Sequence, residues 1–295
     1  MNRFPWPLLW LLIGMICPYQ AWSGELSNKG TLSLVLENDL FYNLDRHYTN
    51  GIRVIWIPDR SVPTPGWAIK LVRLLPWLPE QGKIRHGYAI GQSMYTPSDI
   101  TITNPSLQDR PYAGWLYGTI AVGVESGRQL DQLEISVGVV GPASLAKQSQ
   151  KFVHKIVGSN EPQGWGTQLK NEPGVVVNYQ HSWRGIANTT LSGNRMDFTP
   201  HVGTVLGNVF TYADMGITVR YGERLPADYG PPRIQPGMSG PGDFSPTSNF
   251  GWYIFAGVEG RAVARNIFLD GNTFRDSRSV KKKAPDRGST IRFRD

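Results

Sequence analysis

Two short stretches of the chain carry residues that could do hydrolytic chemistry. The first is Glu37-Asn38-Asp39, followed by Tyr48-Thr49-Asn50-Gly51. Asn38 and Asp39 end an alternating segment, Thr31 to Leu36, and Tyr48-Thr49 opens the next, Ile52 to Ile57. Alternation of this kind reads as strand, so a carboxylate, a carboxamide and a hydroxyl meet at the lip of one β-hairpin. Short oxygen ligands on a strand-end loop suit a hard cation such as Ca2+; an Asx-type turn closing the hairpin on its own backbone accounts for the same residues. The second stretch is His154, followed by Gly158-Ser159-Asn160-Glu161-Pro162. A histidine can take a proton from water, and a nearby carboxylate can orient it; a histidine on a helix surface also serves packing alone. Taken together, the oxygen cluster of Asn38, Asp39 and Thr49 and the base His154 suit ester hydrolysis, in which a metal polarises the carbonyl and histidine activates water. Other chemistries find no support. Gly-x-Ser-x-Gly is absent, and no close histidine pair suggests zinc.

The elements that must position these groups are β-strands. Alternation recurs at Thr31–Leu36, Ile52–Ile57, Gly87–Ser93, Trp115–Glu125, Asp131–Val139, Val175–Trp183, Arg195–Val205, Tyr212–Tyr221 and Trp252–Phe268. In Tyr117 to Glu125, one face carries Tyr117, Thr119, Ala121, Gly123 and Glu125, and the other Gly118, Ile120, Val122 and Val124. A soluble β-sandwich shares that pattern. Long strands, with Trp and Tyr near their ends (Trp56, Tyr88, Trp115, Trp183, Trp252), favour a transmembrane antiparallel β-barrel, an all-β fold. Two segments break the alternation. Ser144 to Val157 has helical spacing between Gly141-Pro142 and Gly158, which predicts a short helix in an extracellular loop. Glu223 to Asn249 is rich in Pro and Gly and reads as a long loop.

Residues 1–23 read as a secretory signal peptide. Arg3 precedes a short apolar run, Leu8 to Ile16, and Ala21-Trp22-Ser23 is a small-x-small cleavage site. Cys17, the single cysteine, lies within it, so the mature chain has no disulfide framework. Arg73 interrupts the apolar stretch Trp67 to Leu78, which excludes it as a membrane span. The net charge of +7 permits attraction to anionic surfaces such as lipopolysaccharide phosphates. Nucleic acid is excluded as a partner for an exported chain with scattered basic residues.

The joint occurrence of several motifs carries a resemblance. They are Glu37-Asn38-Asp39, Tyr48-Thr49-Asn50-Gly51, Gly91-Gln92 with Tyr95-Thr96-Pro97, Asp109-Arg110-Pro111-Tyr112-Ala113-Gly114, Val140-Gly141-Pro142, His154 with Gly158, Gly164-Trp165 with Gln168-Leu169 and Asn171-Glu172, Gly207-Asn208-Val209-Phe210, and Phe255-Ala256-Gly257-Val258-Glu259. In this order they resemble the lipid A 3′-O-deacylase family of Gram-negative outer membranes. The resemblance implies a twelve-stranded outer-membrane barrel acting as a monomer among outer-membrane lipids. It also implies Ca2+-assisted removal of the 3′-linked acyl chains of lipid A, with a carboxylic ester hydrolysed by histidine-activated water. Asn38, Asp39, Thr49 and His154 match functional positions, Asp39 as the metal ligand. The family's acidic partner falls at Asn160, so Glu161, one residue on, is the candidate for that role. A basic pair expected to grip phosphate falls at Ile102-Thr103, which leaves Arg110 as the candidate for substrate binding. The chain ends Arg292-Phe293-Arg294-Asp295 without a terminal aromatic, and nine or ten strands are counted. The expectation is therefore a C-terminally shortened barrel over 24–280 with an aberrant basic tail, 281–295. A catalytically silent barrel and an outer-membrane phospholipase are the competing readings.

Overall fold

The computed structural model describes residues 30–38, 50–59, 61–79, 82–223, 225, 229, 252–280 and 291–293; for 37, 38, 50 and 291–293 only the backbone is described. The signal segment, Asp39, Thr49 and most of the loop after Glu223 lie outside the described residues.

Inside a membrane, strands must pair with one another because no water satisfies their backbone groups. Among the described residues the strands pair into one antiparallel sheet. Its strands are β1 (Thr31–Asn38), β2 (Asn50–Ile57), β3 (Lys83–Tyr95), β4 (Ala113–Ser126), β5 (Gln129–Val140), β6 (Glu172–Trp183), β7 (Ala187–Leu191), β8 (Asn194–Gly207), β9 (Phe210–Glu223), β10 (Trp252–Asn266) and β11 (Ile291–Phe293). The order is β1-β2-β3-β4-β5-β6-β8-β9-β10-β11, with β7 paired to β8 alone. All nine alternating segments contain strands, and the last stops at Asn266, two residues short of its expected end at Phe268. Two strands escaped the pattern. β7 is a short, exposed hairpin arm, and β11 adds part of the basic tail to β10 at Gly260–Ala262.

The sheet is curled, with a polar inside and an apolar outside. Arg53 on β2 reaches Glu134 on β5 across two intervening strands (Nη2 to Oε2, 3.2 Å), with both side chains at most 2% exposed. Arg220 binds Asp197 through two contacts of 2.9 and 2.5 Å. Thr119 and Ser136 share a hydrogen bond of 2.8 Å. Leu32, Leu34 and Leu36, by contrast, are 61–68% exposed, and Ile90, Val137, Leu206, Ile254 and Val258 join them on the outer face. Buried polar groups with internal partners and exposed aliphatic groups are what a lipid-facing barrel wall requires. Among the described residues no helix is long and apolar enough to cross a membrane.

Among the described residues, three α-helices decorate the sheet: α1 (Gly66–Arg73), α2 (Ala146–Val157) and α3 (Ile267–Asp270). Helix α1 was not foreseen from sequence. Pro65 precedes it, and it packs Ala68 on Val122 and Leu133 of the outer wall. That is why Val122 is buried although it shares the outward face with Ile120. Strand ends sort into two rims. The register puts Asn38, Asn50 and Met94 in one row across β1, β2 and β3, at the same rim as Ala113 and Val140. Glu223, where β9 ends, lies at the opposite rim, on the side of the tight Ser126–Gln129 turn.

Removing one partner of a buried ion pair leaves an uncompensated charge in a low-dielectric interior. Asp197→Ala is expected to destabilise the barrel by about 3 kcal/mol or more. The check is the temperature at which the folded band of a heat-modifiable gel shift disappears, which should fall well below that of the parent.

Candidate active site

The candidate site is built at the rim where β3 ends and β4 begins. Gly141 N–H donates to the Gly114 carbonyl (2.9 Å), and Ser144 Oγ donates to Gly141 O (2.6 Å), which fixes the entry to α2. Gln92, on the outer face of β3, donates to Ser144 O at 2.6 Å. Beneath the helix, Met94, Tyr112, Ala146 and Trp165 form a small apolar core. Trp165 Nε1 donates to Gln150 Oε1 on α2 (2.7 Å), and Leu169 N–H returns to Tyr112 O (3.0 Å). Helix α2 therefore lies against the outer wall of the barrel mouth. Gly114 makes this approach possible, since a Cβ there would sit 2.3 Å from that of Ala146.

The expected helix over Ser144 to Val157 is observed as Ala146–Val157, ending at Gly158 in the left-handed region (φ 70°). Phe152, Val153, Ile156 and Val157 on α2 are exposed. His154 stands among them, half-buried, with Nδ1 2.5 Å from the backbone carbonyl of Asn160. A carbonyl oxygen only accepts, so Nδ1 carries the proton and Nε2 is the basic nitrogen of the neutral ring.

The other anticipated residues are placed as follows. Glu161 pairs with Lys151, and the structure does not bring its carboxylate to His154. The Lys151 hydrogen bond and charge hold that carboxyl below the usual carboxylate range. A depressed carboxylate contributes at neutral pH and loses its contribution only as pH falls through that lowered value. Glu161 thus acts near neutrality as a fixed negative charge. Arg110 is buried, with its guanidinium 5.4 Å from the centre of the Tyr95 ring. Ile102 and Thr103 are exposed. Asn38 is placed by its backbone pairing with Asn50, at the rim on which α2 sits, while Asp39 and Thr49 lie outside the described residues.

Sequence reading missed what ties the rim loops together. After β10, α3 lays Phe268 on Tyr95 (ring centroids 3.8 Å apart) and roofs the lumen. The buried Glu172 carboxylate accepts from Asn208, Asn272 and the backbone N–H groups of Thr273 and Phe274. Arg278 then reaches Pro105 O (3.0 Å) and Asn104 Oδ1 (2.5 Å) on the β3–β4 loop. Glu172 and Asn208 were visible in the motifs Asn171-Glu172 and Gly207-Asn208; their pairing, and the partners Asn272, Thr273 and Phe274 further on, were not.

A curled antiparallel sheet with a polar lumen, an aliphatic outer wall and a histidine-bearing helix at one rim defines the architecture of an outer-membrane β-barrel. The family described as "Outer membrane protein LpxR" matches residues 8–285, and the chain belongs to it. This is the lipid A 3′-O-deacylase family that the motifs resemble, and the protein is an outer-membrane protein of the lipid A deacylase class. The solved structure of LpxR from Salmonella typhimurium is similar in fold, with a TM-score of 0.61 and 23% identity, covering 81% of this chain and 79% of that one. No curated protein sequence matches the chain.

Two outcomes test how the helix is held. Gly114→Ala pushes α2 off the wall and is expected to lower the hydrolytic rate on the order of 100-fold, the scale of an ångström-sized misplacement. Membrane insertion should be unchanged. Glu161→Gln removes an exposed pair and is expected to change the rate less than about threefold. Both are read by initial rates of fatty acid release from detergent-solubilised protein.

Proposed function

We propose that the chain hydrolyses the ester bonds of the 3′-linked acyl chains of lipid A at the outer side of the barrel rim, with His154 as general base. The observation that supports this most strongly is the His154–Asn160 hydrogen bond, which leaves Nε2 basic on a helix whose exposed apolar residues can meet acyl chains. Nε2 takes a proton from water as the water oxygen attacks the ester carbonyl carbon. That proton then passes to the 3′ oxygen of the sugar as the C–O bond breaks, which yields a fatty acid and a free hydroxyl. The Asn160 carbonyl takes the orienting part that an acidic partner would play, with the Glu161 charge one residue away. The side chains of Asn38 and Thr49 are assigned to the developing oxyanion.

The donor set of Asn38, Asp39 and Thr49 consists of hard oxygen groups, which fits Ca2+ held by Asp39. Such an ion, when bound, polarises the ester carbonyl. Arg110 is assigned to the lipid A phosphate. One observation favours a second reading. Ile102 and Thr103 are exposed and uncharged while Arg110 is buried, so a grip that does not depend on the lipid A phosphate suits a phospholipid ester instead.

His154→Ala and His154→Asn are each expected to lower the rate on purified lipid A by roughly 100-fold to 10,000-fold, the usual scale for loss of a general base. Asp39→Ala should remove activity that added Ca2+ cannot restore. A His154→Ala variant that inserts normally and keeps a third of parental activity contradicts the base assignment. Fatty acid released from phospholipid but not from lipid A replaces the substrate assignment with the second reading.

A further inference from the structure

The lumen holds a cluster that the rim chemistry does not use. His201 on β8, Gly216 on β9 and Glu259 on β10 lie in one row of the ladder. Gly203, Asp214 and Arg261 form the next inward-facing row on the same three strands. His201 Nε2 is 3.3 Å from Glu259 Oε2 and 3.9 Å from Asp214 Oδ1. The three ligand atoms all lie within 4.8 Å of one another. The side chains of His201 and Asp214 are under 10% exposed, and that of Glu259 is 17% exposed. The two glycines leave the room these side chains occupy. A Cβ on Gly216 would stand 2.6 Å from His201 Cε1, and one on Gly203 would stand 2.8 Å from Asp214 Oδ1.

We propose that His201, Asp214 and Glu259 form a lumenal site for a borderline divalent cation of the zinc type, which staples β8, β9 and β10 together. Ligand bonds of about 2.0–2.2 Å set ligand atoms roughly 3–4 Å apart, so the two distances from His201 need little adjustment. One imidazole with two carboxylates selects zinc-like metals over Ca2+, which takes oxygen ligands. Two carboxylates neutralise the dication. Arg261 Nε donates to Glu259 Oε1 at 2.5 Å, which holds that carboxylate with Oε2 turned to His201. A hydrogen bond to the non-ligating atom of a ligand is the usual way such groups are oriented. The arrangement uses neutral His201 and releases its proton if the ring was charged. It stands apart from His154, which lies on α2 outside the wall.

The test uses the full chain folded in detergent, stripped with chelator, with Zn2+ alone as the probe. His154→Ala serves as the background, so that the rim histidine cannot contribute. Titration calorimetry should reach one equivalent in that background. Adding H201Q or D214N should weaken binding at least about tenfold. Zn2+ should also raise the gel-shift temperature of the His154→Ala protein, and H201Q should abolish that rise. Should H201Q fail to fold, X-ray absorption at the zinc edge of the His154→Ala protein decides alone. One imidazole nitrogen among oxygen donors supports the site, and an all-oxygen shell overturns it. Absence of stoichiometric binding, or binding unchanged by H201Q, also overturns it.

Discussion

The structure depends on one constraint: in hydrocarbon, backbone N–H and C=O groups find partners only within the protein. The antiparallel ladder pairs each described strand with its neighbour from β1 to β11, and no pairing joins β1 to β11 among the described residues. Because side chains alternate along each strand, the ladder also divides the chain chemically. Leucines, isoleucines and valines go outward to lipid, while arginines, carboxylates, hydroxyls and amides go inward, where they must satisfy one another. The Arg53–Glu134 and Arg220–Asp197 pairs are consequences of that division. Hydrolysis of a membrane lipid therefore has to take place at the rim, where chain can leave the ladder and still meet acyl groups.

The rim is organised by two devices on different sides of the wall. Outside it, α2 is held by Gln92, the Gly114–Gly141 contact and the Met94–Tyr112–Trp165 core, and it presents His154 beside exposed apolar residues. Above the lumen, α3 and the segment through Arg278 bridge β6, the β8–β9 turn and the β3–β4 loop through Glu172, Asn272 and Arg278. The outer device places His154, and the roof ties the neighbouring loops together.

Much of this was legible in the sequence because period-two alternation is a local signal. Every long strand followed from it, and α2 followed from helical spacing between Gly-Pro and Gly. What escaped was either too short to show a period, as in β7 and β11, or depended on contacts distant in sequence. Helix α1 looked like an interrupted apolar run because its partners, Val122 and Leu133, lie on other strands. His201 showed no close ligand neighbour, although the inward parity of His201, Asp214 and Glu259 could have flagged the three together. At the candidate site, the family resemblance anticipated a carboxylate partner for His154. The main-chain carbonyl of Asn160 fills that position, and no side-chain pattern announces a backbone acceptor.

The central claim is that water, activated at the rim, attacks the acyl carbon of a lipid A ester. Incubation of the purified protein with lipid A in H2(18)O, followed by mass spectrometry of both products, tests it most directly. The account predicts one heavy oxygen in the carboxyl group of the released fatty acid and none on the de-esterified sugar. Label on the sugar hydroxyl, or lipid A recovered with its 3′-linked chains intact, would contradict it.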